Sequence, residues 1–193
     1  MKKFSVYSLL IVLILSFLYT ELKAQSKYIT FSPEFVVPTG QFAQKTGTGG
    51  GASIKFEIKM KKNYSFFING GYFAFSGKTF KYPNNTSYLI YYNIGEVIAG
   101  LTFYEKKGYF FSFGASVNFF YTKSDISQGP TGQVYTYFRT ESTEKYGLFV
   151  GAGYLYPLDE LFSVEGMIRY HYLGDNSSFA GLRVGLKIDV DQL

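Results

Sequence analysis

Between Ala52 and Met60 the chain reads ASIKFEIKM, with Ile54, Phe56 and Ile58 set between Lys55, Glu57 and Lys59. Successive side chains of a strand point to opposite faces, so a period of two predicts a strand with one apolar and one charged face. Eight segments carry this pattern, at about 27–37, 51–60, 64–76, 87–104, 109–123, 145–156, 161–173 and 179–190. Pro33 gives the first an edge or bulge position, because proline has no N–H for a ladder.

The connections sort by length. Those after the second, fourth and sixth segments, such as Lys61-Lys62-Asn63 and Pro157-Leu158-Asp159-Glu160, span three or four residues. Those after the first, third and fifth run to about ten or more, and the last to about five. An even strand number with short turns at one end and longer loops at the other is the layout of an outer-membrane barrel.

The faces point the same way. In the eighth segment Ala180, Leu182, Val184, Leu186, Ile188 and Val190 share one side, against Gly181, Arg183, Gly185, Lys187 and Asp189. In the seventh, Phe162, Val164, Ile168, Tyr170 and Tyr172 oppose Ser163, Glu165, Arg169 and His171. The fourth and fifth alternate alike. A soluble barrel would turn the bulky face inward, but eight strands enclose only enough space for side chains to fill. A lumen lined by glycine and charge, with the bulky apolar face toward lipid, fits that volume.

Composition supports the barrel. The 193 residues include 19 Tyr, 21 Phe and 21 Gly, with no Trp and no Cys. Without cysteine there is no disulfide framework and no thiol chemistry. Tyrosines and phenylalanines near strand ends predict two interfacial girdles: Tyr64, Phe66, Tyr104, Tyr109, Tyr154, Tyr156 and Phe162 at the short turns, and Tyr72, Tyr88, Tyr91, Tyr121, Tyr170 and Tyr172 toward the loops. A net charge of +5 without a basic run gives no footprint for nucleic acid. Lys2 and Lys3, an apolar run from Phe4 to Tyr19 and the small Ala24 have the three-part layout of a secretory signal peptide. This divides the chain into a signal at 1–24 and one barrel domain at 25–193.

Arg183, Gly185, Ile188 and Val190, spaced as polar-x-Gly-x-x-apolar-x-apolar, resemble the C-terminal recognition signal of bacterial outer-membrane barrels. The resemblance implies delivery to the barrel assembly machinery. The chain departs from it by ending Asp191-Gln192-Leu193 instead of on an aromatic. Pro38-Thr39-Gly40-Gln41-Phe42, the Gly47 to Gly51 cluster and the Lys23-Ala24-Gln25 region resemble the OmpA/OmpX-like barrel family of Bacteroidota type. That likeness implies an outer-membrane location in a Gram-negative cell and names no activity.

Candidate chemistry is confined to the lumen and the loops. Glu34, Lys55, Glu57, Lys59, Glu96, Glu165, Arg169, His171, Arg183, Lys187 and Asp189 fall on the inner face. Buried charges of both signs must pair, so these residues predict a structural ionic core filling the lumen. An ion path and paired acid–base carboxylates are the competing functional readings. His171 is the only histidine. Lipid A 3-O-deacylases pair a barrel histidine with a serine two positions on; here that position is Leu173. One histidine and no cysteine leave no metal cluster, and no phosphate-loop or cofactor motif is present. The longest loop, 125–145, holds Gln133-Val134-Tyr135-Thr136-Tyr137-Phe138, which alternates as an extended hairpin. Exposed aromatic loops suit partner binding.

The reading is a monomeric, eight-stranded antiparallel transmembrane β-barrel with a filled lumen. It contacts outer-membrane lipid and the assembly machinery, and meets an extracellular partner through the 125–145 loop. It is not an enzyme and takes no cofactor. Carriage of a small apolar ligand through a side opening is the first alternative, and a lipid-modifying barrel enzyme the second.

Overall fold

The computed structural model describes residues 26–61, 63–81, 87–127, 137–174 and 176–193. The expected signal peptide and residues 62, 82–86, 128–136 and 175 lie outside them, as do the 133–136 part of the expected hairpin and the Tyr88 side chain.

Eight antiparallel strands, each paired with its chain neighbours, close into a barrel: β1 (Lys27–Pro38), β2 (Thr46–Lys61), β3 (Tyr64–Lys81), β4 (Ser87–Tyr104), β5 (Tyr109–Ser127), β6 (Tyr137–Pro157), β7 (Phe162–Tyr172) and β8 (Phe179–Asp189). β1 pairs with β8 from Tyr28↔Asp189 up to Pro38↔Phe179. Closure leaves no sheet edge within the barrel wall. Pro33 falls within the one stretch of β1, Ser32 and Pro33, that drops out of the ladder to β8.

The faces are inverted relative to a soluble barrel. Ile168 is 68% exposed and its neighbour Arg169 is 1% exposed. Ile54, Phe56, Val97, Phe111, Phe113, Leu182, Val184 and Leu186 also point outward, whereas Lys55, Glu57, Glu96, Arg183 and Lys187 point inward. A continuous apolar exterior is stable only where hydrocarbon is the solvent.

The strands run longer than their apolar alternation. β2 begins at Thr46, so Gly47 to Gly50 belong to the strand and not to a loop. β3 extends to Lys81, β5 to Ser127, and β6 starts at Tyr137. Of the expected 125–145 loop, residues 125–127 and 137–145 are therefore strand. β2 pairs with β3 only as far as Thr46↔Gly77, and β7 with β6 only as far as Leu148↔Tyr172. Above those levels β3, β4, β5 and β6 continue as a four-stranded wall on one side of the rim.

The first loop, Thr39 to Lys45, is short and folds inward. Its helical turn α1 (Phe42–Lys45) starts where Phe42 N donates to Thr39 O at 3.1 Å. Lys78 Nζ donates to Ala43 O at 2.5 Å and ties the turn to β3. Phe42 is thereby set into the mouth, edge-on to Phe75 and Tyr92 at 5.3 Å and to Phe120 at 6.0 Å. Val36, Phe73, Ile94, Leu173 and Phe179 complete this apolar plug.

The lumen is not lined by small and charged residues alone, as the alternation suggests. Besides the plug, Phe67, Ile98, Phe110, Phe149 and Met167 form a second buried cluster. Glycines paired with these rings on the adjacent strand make the room. A Cβ on Gly153 would stand 2.5 Å from Phe110 Cζ, and one on Gly51 2.7 Å from Phe73 Cδ1. Where Gly100 pairs with Gly114 the strands themselves are close: a Cβ on Gly114 would meet Ala99 O at 2.3 Å and Gly100 Cα at 2.9 Å. Backbone cannot yield as a flexible side chain does. Gly114→Val is therefore expected to lower the unfolding midpoint of the refolded barrel in urea, while Gly70→Val, whose Cβ would meet nothing within 4 Å, leaves it near wild type.

Candidate functional site

Three regions carry polar or recognisable chemistry: the lumen, the vestibule at the short-turn end, and the raised wall. The lumen comes first. Among the described residues four carboxylates and four cations are buried there: Glu34, Glu57, Glu96 and Glu165 against Lys55, Arg169, Arg183 and Lys187. Strand alternation delivers each one, and the antiparallel register sets the heights at which they meet.

They form two linked layers. In the lower, Lys55 Nζ lies 2.6 Å from Glu165 Oε2 and 3.0 Å from Glu57 Oε2. Arg183 donates to the other oxygen of Glu165, and Lys187 Nζ lies 3.0 Å from Glu57 Oε1. In the upper, Arg169 bridges two strands: Nη2 is 2.6 Å from Glu34 Oε2 and Nη1 is 2.7 Å from Glu96 Oε1. Asn69 joins the layers, donating to Glu96 at 3.2 Å and accepting from Arg183 at 3.3 Å. Ser53 donates to Glu34, and Ser65 to Glu57 at 2.7 Å. Aromatic rings hold the cations from the side, with Arg169 Cζ 5.0 Å from the centre of Phe73 and Lys187 Nζ 4.2 Å from that of Tyr28.

Charge balance and burial define what this arrangement can do. Eight mutually neutralised groups present no net field to attract an ion. Arg169, Glu165 and Glu57 are each at most 1% exposed, and an eight-stranded lumen is filled by its side chains. His171 is sealed in as well. Its ring stacks on Phe179 with centroids 4.4 Å apart and interplanar angle 9°, and rests on Phe149 at 5.3 Å. Its Nδ1 is 3.5 Å from Glu96 Oε2. Leu173, two positions on, packs in the apolar plug.

Of the eleven inner-face residues expected from the sequence, Lys59 and Asp189 stand apart. Both are half-buried and line a vestibule of about 280 Å³ at the short-turn end, beside Glu105, Glu160 and Ser163. Tyr104, expected in the lower girdle, is instead lumenal. It ends β4 on the same face as Thr102, donates to Glu57 at 2.5 Å and accepts from Lys187 at 2.7 Å. Its parity with Glu96 and Thr102 is the signal in the sequence that marks it. Tyr109, Tyr154 and Tyr156, at the short-turn end, and Tyr72, Tyr121, Tyr170 and Tyr172, toward the loops, do point outward. In the C-terminal signal, Arg183 sits in the ionic core. A Cβ on Gly185 would stand 2.2 Å from Ser32 Oγ. Ile188 is in β8, and Val190 has left the strand for a terminal 3-10 turn.

At the height of the ionic core the neighbouring strands are paired, apart from the break between β1 and β8 at Ser32 and Pro33.

Among solved structures the chain is similar to the outer membrane protein OprG of Pseudomonas aeruginosa, at 12% identity over 87% of this chain and 98% of that one, with a TM-score of 0.60. It is also similar to a major outer membrane protein of Thermus thermophilus, at 13% identity over 83% and 98% of the two chains, with a TM-score of 0.54. The fold is that of the outer-membrane β-barrels. Ail, the attachment invasion locus protein of Yersinia pestis, solved in complex with the heparin analogue sucrose octasulfate, matches at 16% identity over 85% and 96%, with a TM-score of 0.47. No protein-family model matches the chain, and no curated protein matches it.

For an outer-membrane barrel the inverted faces acquire a direct meaning. Lipid surrounds Ile54, Phe56 and Ile168, and the lumen holds Lys55, Glu57 and Arg169. The protein resides in the outer membrane of a Gram-negative bacterium; in such barrels the short turns face the periplasm and the longer connections the outside.

Proposed function

We propose that the barrel is a rigid, closed pedestal and that the raised β3–β6 wall is its working part, a surface on which an extracellular protein docks. Residues 1–24 would direct export, and Arg183, Gly185, Ile188 and Val190 would mark the chain for assembly.

The observation that carries this reading is the mismatch of β6 and β7. β6 spans 21 residues and β7 spans 11, so β6 above Leu148 has a partner strand only on the β5 side. At about 3.3 Å per residue, the wall rises well clear of the bilayer. A strand edge is a template on which an extended segment adds by main-chain hydrogen bonds, with side-chain neighbours setting specificity. Ser142, Thr143, Glu144 and Tyr146 lie along that edge and are exposed, Tyr146 at 73%. A sealed ionic core supports the wall without conducting, which is what a pedestal requires.

A shortened hairpin tests this. Tyr121 and Ser142 are direct partners, so an Asn-Gly turn joining them removes the top of the wall while keeping the register. A photo-crosslinking residue at Tyr146, activated on intact cells, is expected to give a discrete adduct in the full chain. The adduct should vanish in the shortened chain, whose gel mobility remains heat-dependent. An unchanged adduct after shortening, or none from the full chain, contradicts the proposal.

A further inference from the structure

The lipid-facing surface is not uniformly bulky. The register aligns two neighbouring rows across β5 to β8: Phe111, Ala152, Ile168 and Leu182 in one, and Tyr109, Tyr154, Gly166 and Val184 in the next toward the periplasm. Ala152 and Gly166 are the small members, set among large neighbours. A Cβ on Gly166 would meet nothing within 4 Å. The result is an apolar trough of about 490 Å³ walled by Tyr109, Phe111, Tyr154, Ile168 and Leu182, with Gly153 and Met167 in its floor.

We propose that this trough is a binding site for one glycerophospholipid of the periplasmic leaflet, with an acyl chain in the trough and an anionic headgroup at the turn below it. The trough lies inside the apolar band, so its occupant is lipid and not a water-soluble ligand. In hydrocarbon the gain comes from packing, since an unfilled hollow forfeits contacts on one side and water exclusion contributes nothing. The lower end is polar in the sense a phospholipid needs. Tyr109 and Tyr154, 5.1 Å apart and edge-on, belong to the periplasmic girdle, where tyrosine hydroxyls sit among headgroups. Lys106 and Lys107, both exposed, occupy the turn that leads into Tyr109. That turn is fixed, because Glu105 N donates to Tyr109 O at 2.8 Å and Gly108 takes a φ of +87°. Basic residues at a membrane surface attract anionic lipid.

The test is native mass spectrometry of the full-length barrel, purified in a nonionic detergent and titrated with palmitoyl-oleoyl phosphatidylglycerol or the matching phosphatidylcholine. One phosphatidylglycerol adduct is expected to persist on the wild type at a detergent load that strips the rest. Gly166→Leu and Ala152→Leu, which fill the trough from its open side, should each reduce that adduct about tenfold. Gly70→Leu, equally open but on β3, should leave it unchanged. Lys106→Gln with Lys107→Gln should abolish the preference over phosphatidylcholine. Heat-dependent gel mobility verifies that every variant is folded. No persistent adduct on the wild type, equal loss from Gly70→Leu and Gly166→Leu, or a preference indifferent to the lysines overturns the proposal.

Discussion

Arg169→Ala is expected to lower the stability of the folded barrel by about 3–5 kcal/mol, the range for removing one partner of a buried ion pair. Arg169 alone spans Glu34 and Glu96, at 2.6 and 2.7 Å. Its loss leaves two buried carboxylates without the cation they share. Urea unfolding of the protein in lipid vesicles, followed by the loss of the fast-migrating form on unboiled gels, gives the midpoint. Combining Arg169→Ala with Glu34→Gln and Glu96→Gln should recover most of the loss, since the penalty lies in the unpaired charges and not in the missing arginine. A triple variant no more stable than the single one would show that packing of the guanidinium against Phe73 dominates. Neither protein should open a large, stable pore in a planar bilayer, because Phe67, Phe110, Phe149 and Met167 still occupy the lumen.

Phe42→Ala should be similarly damaging, at about 3–5 kcal/mol for deleting a buried phenylalanine. The ring is 1% exposed and contacts three aromatic rings from three different strands. The loss should fall mainly on the outer end of the barrel. Amide exchange is expected to quicken from Thr39 to Lys45 and at the upper ends of β1 and β2, while amides flanking Lys55 and Glu165 keep their protection. Uniform loss of protection along all strands would mean that plug and ionic core unfold as one unit.

Much of the architecture is legible in the sequence where one face meets lipid and the other meets charge. β4, β7 and β8 come out within one residue at each end because their alternation is strong. The wall is not legible by the same means. Above the bilayer both faces of a strand meet water, so Thr140-Glu141-Ser142-Thr143-Glu144 is polar on both faces and reads as loop. The position of the inward charges follows from parity alone. Their pairing does not, since Arg169 meets Glu34 and Glu96 across strands far apart in the chain. Lumenal phenylalanines escape the pattern for a related reason. Phe66-Phe67 and Val97-Ile98 are apolar on both faces, so alternation gives no sign of which member turns inward. The glycines opposite them, which read as a lining, are the spaces those rings fill.

The central claim is that lipid surrounds the apolar face. The chain contains no cysteine, so single cysteines at Phe56, Ile168 and Leu182 can each carry a bimane fluorophore without other changes. The measurement is quenching of that fluorophore, in membrane-reconstituted protein, by acyl chains brominated near the bilayer centre and by aqueous iodide. All three sites should be quenched strongly by the brominated lipid and weakly by iodide. Quenching by iodide with no response to the lipid would place these side chains in water and contradict the assignment of the faces.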